Sequence, residues 1–343
     1  MAVDLGSRTT KAVLLERRGE LLALSRYAML DAPIYDKKFS ADLLSDHLRS
    51  VVEALGNPTK LVTLGIGLDD AVVRQVELPQ IPVSEMRMVL KNNSRAYLQQ
   101  DLPNYVFDCY IFPPRQENGK SVEAAKPTGV IPKLKVLAAG TKQATLNDFQ
   151  TAVKNAGLTP DCIVPGLIGP ANAFELALPQ VFANETVALV DIGFKQTSIC
   201  IMDHGELVLS RVVGIGGDTL TTGLAEALKA TYAEAEGAKV GMSPDAKFAI
   251  EAQVVPLGRE LRASLDFFEH QQDRPVSQVY ISGGTARSEM ILQMLHSEMI
   301  VECKTWNPTG FLQMALPGQM AVEIDHVGPQ LTVAVGAALS AFN

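Results

Sequence analysis

What the chain lacks narrows its chemistry first. It has four cysteines, Cys109, Cys162, Cys200 and Cys303, with no C-x-x-C pair and no histidine at ligand spacing beside them. Neither a zinc site nor a dithiol redox pair is encoded, and the four are expected to be buried thiols. Basic residues are in the minority, 30 Lys and Arg against 38 Asp and Glu, for a formal net charge of -8. Nucleic-acid binding needs clustered Lys and Arg to displace counterions, so no nucleic-acid partner is expected. No apolar run approaches the ~18 residues of a spanning helix, and no charged-then-apolar leader opens the chain. The expectation is a cytoplasmic protein, peripheral to membrane only through partners. His47, His204, His270, His296 and His326 show no spacing that suggests a site and are read as structural or exposed, and Trp306 should pack beside the Asn307-Pro308 turn.

What is present is a large apolar content and an internal echo. With 47% hydrophobic residues over 343 positions, the chain can bury a large core as two domains or one duplicated fold. The stretch MAVDLGSRTTKAVLLERRGELLALS at the start is matched by VALVDIGFKQTSICIMDHGELVLS from Val187. Asp4, Gly6 and Thr10 correspond to Asp191, Gly193 and Thr197, and after a one-residue slip Gly19-Glu20-Leu21 matches Gly205-Glu206-Leu207.

The order of elements repeats too. Val3 to Leu5, Lys11 to Leu15 and ELLALSRY read as a β-meander, followed by a helix capped by Ser40 with Leu43, Leu44, Leu48, Val51, Val52 and Leu55 on one face, then the buried strand KLVTLGIGL. The second copy offers strands at Val187 to Asp191, Ser198 to Met202 and Glu206 to Val213, then the helix GDTLTTGLAEALKATY. Repetition in this order indicates duplication. Between the copies lies a segment without a counterpart, with helices in PVSEMRMVLKNNSRAYLQQDL and ATLNDFQTAVKNAGL and strands in VFDCYIF and LKVLAAG. Its polar 115–133 stretch should be a mobile hairpin tip. The expected fold class is α/β: two duplicated domains with an inserted α+β subdomain in the first. The expected boundaries are 1–75 plus 161–185 and 330–343 for the first domain, 76–160 for the insert and 186–329 for the second domain.

In each copy an Asp ends a strand and a Gly opens a sharp turn, where backbone N–H groups can face a phosphate. Asp4 and Asp191 are candidates to hold a hydrated Mg²⁺, which favours water, a few carboxylates and phosphate oxygens. Lys11, beyond Gly6 and Ser7, either reaches a terminal phosphate or is a solvated surface lysine. ISGGTAR places Gly283 and Gly284 in a turn after a strand, where backbone can approach an adenosine. AEAEGAKVG sets Glu236 and Lys239 at i and i+3, either facing one ribose and base or forming a surface ion pair. Arg262 is read as one of a solvated helical face with Arg259.

The ordered set DLGSRTTK, VDIGFKQT, GIGGDTLT, AEAEGAKVG and ISGGTAR resembles the phosphate, helix and adenosine motifs of the actin and sugar-kinase ATPase superfamily, FtsA included. The resemblance implies two ribonuclease-H-like domains in an actin-like fold. It also implies ATP and Mg²⁺ as cofactors, with Asp4, Gly6, Ser7, Lys11, Gly193, Thr197, Gly216, Gly217, Glu236, Lys239, Gly283 and Gly284 around the nucleotide and Asp191 as a catalytic candidate. The segment RQVELPQIPVSEMRMVLKNNSRAYLQQDLPNYVFDCYIF, with KVLAAGTKQATLNDFQTAVKNAGLTPDCIVPGLIGPANAF and WNPTGF, is similar to the type IV pilus assembly protein PilM family. That likeness spans nearly the whole chain. It implies a cytoplasmic scaffold, at most a slow ATPase, at the inner face of the inner membrane. Its expected partners are the N-terminal cytoplasmic peptide of a PilN-like inner-membrane protein and other pilus assembly components. The chain departs from the family at Phe194 and Lys195, where small residues are usual, at Gly283-Gly284-Thr285 in place of three glycines, and at Lys91-Asn92-Asn93. A sugar-kinase-like enzyme, an actin-like filament former and a nucleotide-free secretion scaffold stay open beside the pilus reading.

Overall fold

The structure is a computed structural model that describes residues 1–33, 40–113, 132–241 and 246–342. The chain begins with β1 (Ala2–Asp4), β2 (Thr9–Arg18), β3 (Leu21–Asp31), α1 (Ala41–Ala54) and β4 (Leu61–Ile66). Then come β5 (Ala71–Pro79), α2 (Val83–Leu98), β6 (Tyr105–Ile111), β7 (Lys133–Lys142), α3 (Gln143–Asn155) and β8 (Thr159–Pro165). Next are α4 (Gly169–Ala177), α5 (Pro179–Asn184), β9 (Thr186–Ile192), β10 (Thr197–Asp203), β11 (Glu206–Val213), α6 (Gly217–Leu228), α7 (Tyr232–Val240) and α8 (Lys247–Gln272). The chain closes with β12 (Gln278–Ser282), α9 (Glu289–Met299), β13 (Cys303–Thr305), β14 (Gln313–Met314), α10 (Gly318–Val327) and α11 (Thr332–Leu339).

The duplication is visible strand by strand. A six-stranded sheet has the order β14-β3-β2-β1-β4-β8, and a five-stranded sheet has the order β11-β10-β9-β12-β13. In both, the meander is antiparallel and the next strand adds parallel to the first, β4 beside β1 and β12 beside β9. Even the irregularity recurs. The β2–β3 register slips between Leu14 and Leu15, and the β10–β11 register slips between Ile201 and Met202, which are the matching residues when Thr10 is set on Thr197. Bulges of this kind increase local twist and bend a strand, so both meanders curl at the same place.

Periodicity explains what each element buries. Ser40 caps α1 by accepting from the Leu43 N–H, and Leu44, Leu48, Val51 and Val52 are buried as their spacing requires. Strands β9 and β10 read as continuous apolar runs because both faces are covered. Val190, Ile192, Ile199 and Ile201 join Leu257, Leu261 and Leu265 of α8 in one core. The small-residue helix α11 lies close on α4, and a Cβ on Gly336 would stand 1.9 Å from the Gly169 carbonyl oxygen.

By contact the chain divides into two compact units, Met1–Leu68 with Asp148–Asn343, and Asp69–Asn147. Both duplicated sheets lie in the first. The second holds the sheet β5-β7-β6, with Met86, Leu90 and Leu98 of α2 packed on Leu78, Phe107, Val136 and Ala138. It begins and ends earlier than the 76–160 expected of the insert. Strand β5 starts at Ala71 and pairs with β7 along its length, while β8 belongs to the six-stranded sheet beside β4. Gln313 and Met314, within the 186–329 segment, pair with Ala23 and Leu24 of the first sheet. The polar stretch read as a hairpin tip, 115–133, falls almost wholly outside the described residues.

The cysteines do not all behave as buried thiols. Cys200 is buried, Cys109 and Cys303 are partly exposed, and Cys162 is exposed. Cys162 lies on β8, the edge strand of its sheet. Burial raises the thiol pKa of Cys109 to about 11 and those of Cys200 and Cys303 to about 12. Trp306 is buried edge-on against Phe174, 5.2 Å between ring centroids.

Candidate functional site

The first turn is built around one charge pair. Asp4 ends β1, and β2 returns antiparallel so that Lys11 stands opposite Asp4 in the ladder. The Lys11 ammonium donates to Asp4 Oδ2 at 3.1 Å, with side-chain exposures of only 19% and 11%. A solvated surface lysine is therefore ruled out. Gly6 makes this approach feasible, since a Cβ there would lie 2.5 Å from the Thr9 carbonyl oxygen and 2.7 Å from Lys11 Nζ. Next along β2, Thr10 Oγ1 is 2.8 Å from His47 Nε2, and burial lowers the His47 pKa. Ser7 is exposed at the tip of the turn.

The second turn is built from backbone. Asp191 lies on β9, and its Oδ1 accepts from Ser282 Oγ at 2.8 Å. Gly193 N–H donates to the Gln196 carbonyl at 3.0 Å, and Gly217 N–H to the Gly193 carbonyl at 2.9 Å. Asp218 N–H donates to the Phe194 carbonyl at 2.8 Å, and Thr197 Oγ1 to the Ile215 carbonyl at 2.7 Å. Gly216 is obligatory here: a Cβ would meet the Phe194 oxygen at 2.4 Å and the Gln196 nitrogen at 2.6 Å. The Gly193 amide thus closes the turn, and the amides of Gly217 and Asp218 tie it to the start of α6.

The two strand ends feel each other. Burial works to lower the Lys11 pKa, but the charge and hydrogen bond of Asp4 and the charge of Asp191 outweigh it and raise the value. Desolvation raises the Asp191 pKa, opposed by the Ser282 hydrogen bond and the Lys11 charge, with Asp4 adding to the rise. One lysine therefore serves two aspartates from opposite copies.

Beyond the turns, a Thr231–Glu234 capping box starts α7. Helix α7 carries Glu236 and Lys239, paired at 2.7 Å. Lys239 is buried and points inward, donating to Thr221 Oγ1 at 2.7 Å and the Gly217 carbonyl at 3.3 Å. Desolvation lowers its pKa, resisted by Glu236. This is a built-in pair, not a surface one, and Glu236 keeps the greater exposure of the two. Gly283 follows β12 at φ 92°, with a Cβ position 2.4 Å from the Ile192 carbonyl oxygen, and Gly284 is exposed beside it. Thr285 Oγ1 lies 3.0 Å from the Cβ position of Gly217, so Gly217, Lys239 and the Gly283 turn converge.

Sequence reasoning passed over three residues at this site. Arg8 crosses from the first turn to within 3.2 Å of Tyr232 Oη, with its guanidinium 5.0 Å from the Phe194 ring centre. Tyr232 Oη donates to Asp218 Oδ1 at 3.0 Å. The signal for Arg8 was its place between Gly6 and Lys11; Tyr232 and Asp218 carried none. Arg262, by contrast, is held by Asp266, Glu269 and the Met299 carbonyl on α8 and α9. Lys195 is exposed.

Glycine turns without room for a Cβ, a shielded lysine paired with Asp4 and the part-exposed carboxylate of Glu236 fit a nucleoside polyphosphate. Among the described residues no group of three or more His, Cys, Asp or Glu is placed to hold a metal ion. Two carboxylates suit a Mg²⁺ that arrives with phosphate and keeps its waters. Also among the described residues, no helix is long and apolar enough to cross a membrane.

Known proteins share this fold. The solved PilM-PilN type IV pilus biogenesis complex contains a chain with a TM-score of 0.83 at 20% identity, covering 99% of this chain and 98% of that one. MreB 5 of Spiroplasma citri bound to AMPPNP matches at a TM-score of 0.52 and 11% identity, over 98% and 93% of the two chains. At such identities these likenesses establish the fold, which is actin-like. Cell division protein FtsA of Bacillus subtilis (strain 168) is 28% identical over 212 residues, 58% of this chain and 44% of FtsA. The match thus spans under half the length of that relative. The family described as type IV pilus assembly protein PilM matches residues 2–342, and the chain belongs to that family.

Proposed function

We propose that the chain is a cytoplasmic ATP-binding scaffold of type IV pilus assembly that holds the N-terminal cytoplasmic tail of a PilN-like inner-membrane protein. Family membership and the likeness to a chain from a PilM-PilN complex support the partner. The observation that carries the nucleotide half is the shielded Lys11 ammonium, held at 3.1 Å from Asp4 beside the Gly6 turn, which supports a role as the cation for a terminal phosphate. In this reading Asp4 and Asp191 hold Mg²⁺ through water, Gly6, Ser7, Gly193, Thr197, Gly216 and Gly217 shape the phosphate side, and Glu236, Lys239, Gly283 and Gly284 shape the adenosine side. Bound Mg²⁺ would neutralise phosphate charge. Asp191 is the candidate base for any hydrolysis.

The test is titration of a synthetic tail peptide with and without saturating Mg-ATP. A nucleotide switch requires different peptide affinities in the two states. Equal affinities would remove the switch and leave the scaffold. Phosphate release faster than ~1 s⁻¹ would favour an enzyme. A nucleotide-free scaffold is the second reading, favoured by the amides of Gly193 and Gly217 being bonded within the protein. Fluorescent ATP analogue binding to wild type and Asp4→Ala separates the two.

A further inference from the structure

Arg8 is carried by the first turn, yet its contacts lie in the other copy. Its Nη1 donates to Tyr232 Oη at 3.2 Å, and its guanidinium stands 5.0 Å from the Phe194 ring centre and 5.7 Å from that of Tyr232. Those two rings form a seat fixed from below. Tyr232 Oη donates to Asp218 Oδ1, and Asp218 N–H donates to the Phe194 carbonyl, so both rings are tied to the first turn of α6. Tyr232 is also the first residue of α7, directly after the capping residue Thr231. A planar guanidinium suits such a seat better than an ammonium, because it can lie over a ring and donate from its edge at once.

We propose that Arg8 is a clasp between the two duplicated halves, seated on Phe194 and Tyr232, and that a polyphosphate beside Gly6 and Lys11 draws it off that seat. The inference rests on the reading that the paired turns take a nucleotide, and it names how that site is gated. The physical reason is competition for one cation. On its seat Arg8 has ring faces, a neutral hydroxyl and the charge of Glu236 at longer range, in an exposed position, whereas a phosphate offers charge-assisted, bidentate hydrogen bonds. Arg8 lies on the turn that leads into β2, three residues before Lys11, so a side-chain rotation is the movement required. The clasp also gives Phe194 a role. A bulky ring stands next to the phosphate turn because it is the platform that holds the halves together before nucleotide arrives.

Two measurements test this. The first needs no nucleotide: with Cys109, Cys200 and Cys303 changed to Ala, spin labels on exposed Cys162 and on Gln272→Cys report the distance between the halves. Wild type should give one narrow distribution, and Arg8→Ala one that is broader and longer. Identical distributions would overturn the clasp. The second is stopped-flow binding of a fluorescent ATP analogue. Phe194→Ala removes the seat but leaves Arg8 for the phosphate, so association should rise about five-fold with dissociation unchanged. Arg8→Ala should speed both. Unchanged association in both variants would overturn the gate. Loss of analogue binding by every protein, wild type included, would overturn the nucleotide reading and the release step, while the distances still decide the clasp. Arg8→Lys, folded and charged but without the plane, should behave as Arg8→Ala does in the distance measurement.

Discussion

The two copies of the strand–turn–strand unit share a topology and a bulge but solve different problems. In the first copy the residue facing Asp4 across the ladder is Lys11; in the second the residue facing Asp191 is Ser198. The first turn therefore neutralises its own aspartate with a side chain. The second relies on Ser282 and on Lys11 from the first copy, and satisfies its backbone by tying itself to α6. Duplication preserved the scaffold while the charge moved to one side. The lesson is that the cleft's electrostatics belong to neither half alone: remove the first copy's lysine and the second copy's aspartate loses its counter-charge.

The sharpest way to break the comparison is to add one carbon at the second turn, in two places. Gly216→Ala forces a Cβ against three backbone atoms that cannot swing aside, so a loss of roughly 3 kcal/mol in denaturant unfolding is expected. At Gly193 a Cβ would press one carbonyl oxygen at 2.9 Å, and Gly193→Ala should cost only about 1 kcal/mol. Equal costs would show that the second turn is not held by backbone fit.

Next comes the charge pair. Lys11→Met leaves Asp4 shielded and without its cation, with an expected loss of roughly 2 kcal/mol, below that of a fully buried pair. Because the Lys11 pKa is raised above 10.5, this contribution is present through neutral pH and disappears only as pH climbs through the folded-state value. A difference between wild type and variant that vanishes near pH 7 would contradict the pairing. Thr231→Ala removes the cap of the helix that carries Glu236 and Lys239, at a cost of about 1 kcal/mol by thermal unfolding.

The smallest expected effect has the opposite sign. Desolvation raises the Asp191 pKa above 3.8, so ionising it opposes folding, and that penalty grows as pH rises through the folded-state value. Asp191→Asn keeps a partner for Ser282 and should be more stable than wild type at neutral pH. The advantage should fade as pH falls below 3.8, where the native carboxyl is protonated in both states. Melting curves across that range check it, and a destabilised variant at pH 7 would mean that Asp191 is stabilised by its surroundings after all.

Much of this was legible along the chain. The meanders, Ser40 as a cap, the helical faces and the pairing of Asp4 with Asp191 followed from spacing and repetition, because local periodicity is set by which face must be buried. The boundary of the insert was displaced because β5 and β8 are both short apolar strands, and only their partners assign them to different sheets. Arg8 was overlooked for a related reason. Its aromatic seat lies at Phe194 and Tyr232, far along the chain, and nothing in a sequence pattern announces a contact of that kind.

The linear order of residues was enough to decide that the chain is duplicated, which strands run where, and which glycines bend. It could not decide whether Lys11 was a surface charge or a buried one, whether Glu236 and Lys239 faced solvent, or where Arg8 would end. Those outcomes depend on which atoms from distant segments exclude water from a charge, and water exclusion is a property of the packed whole.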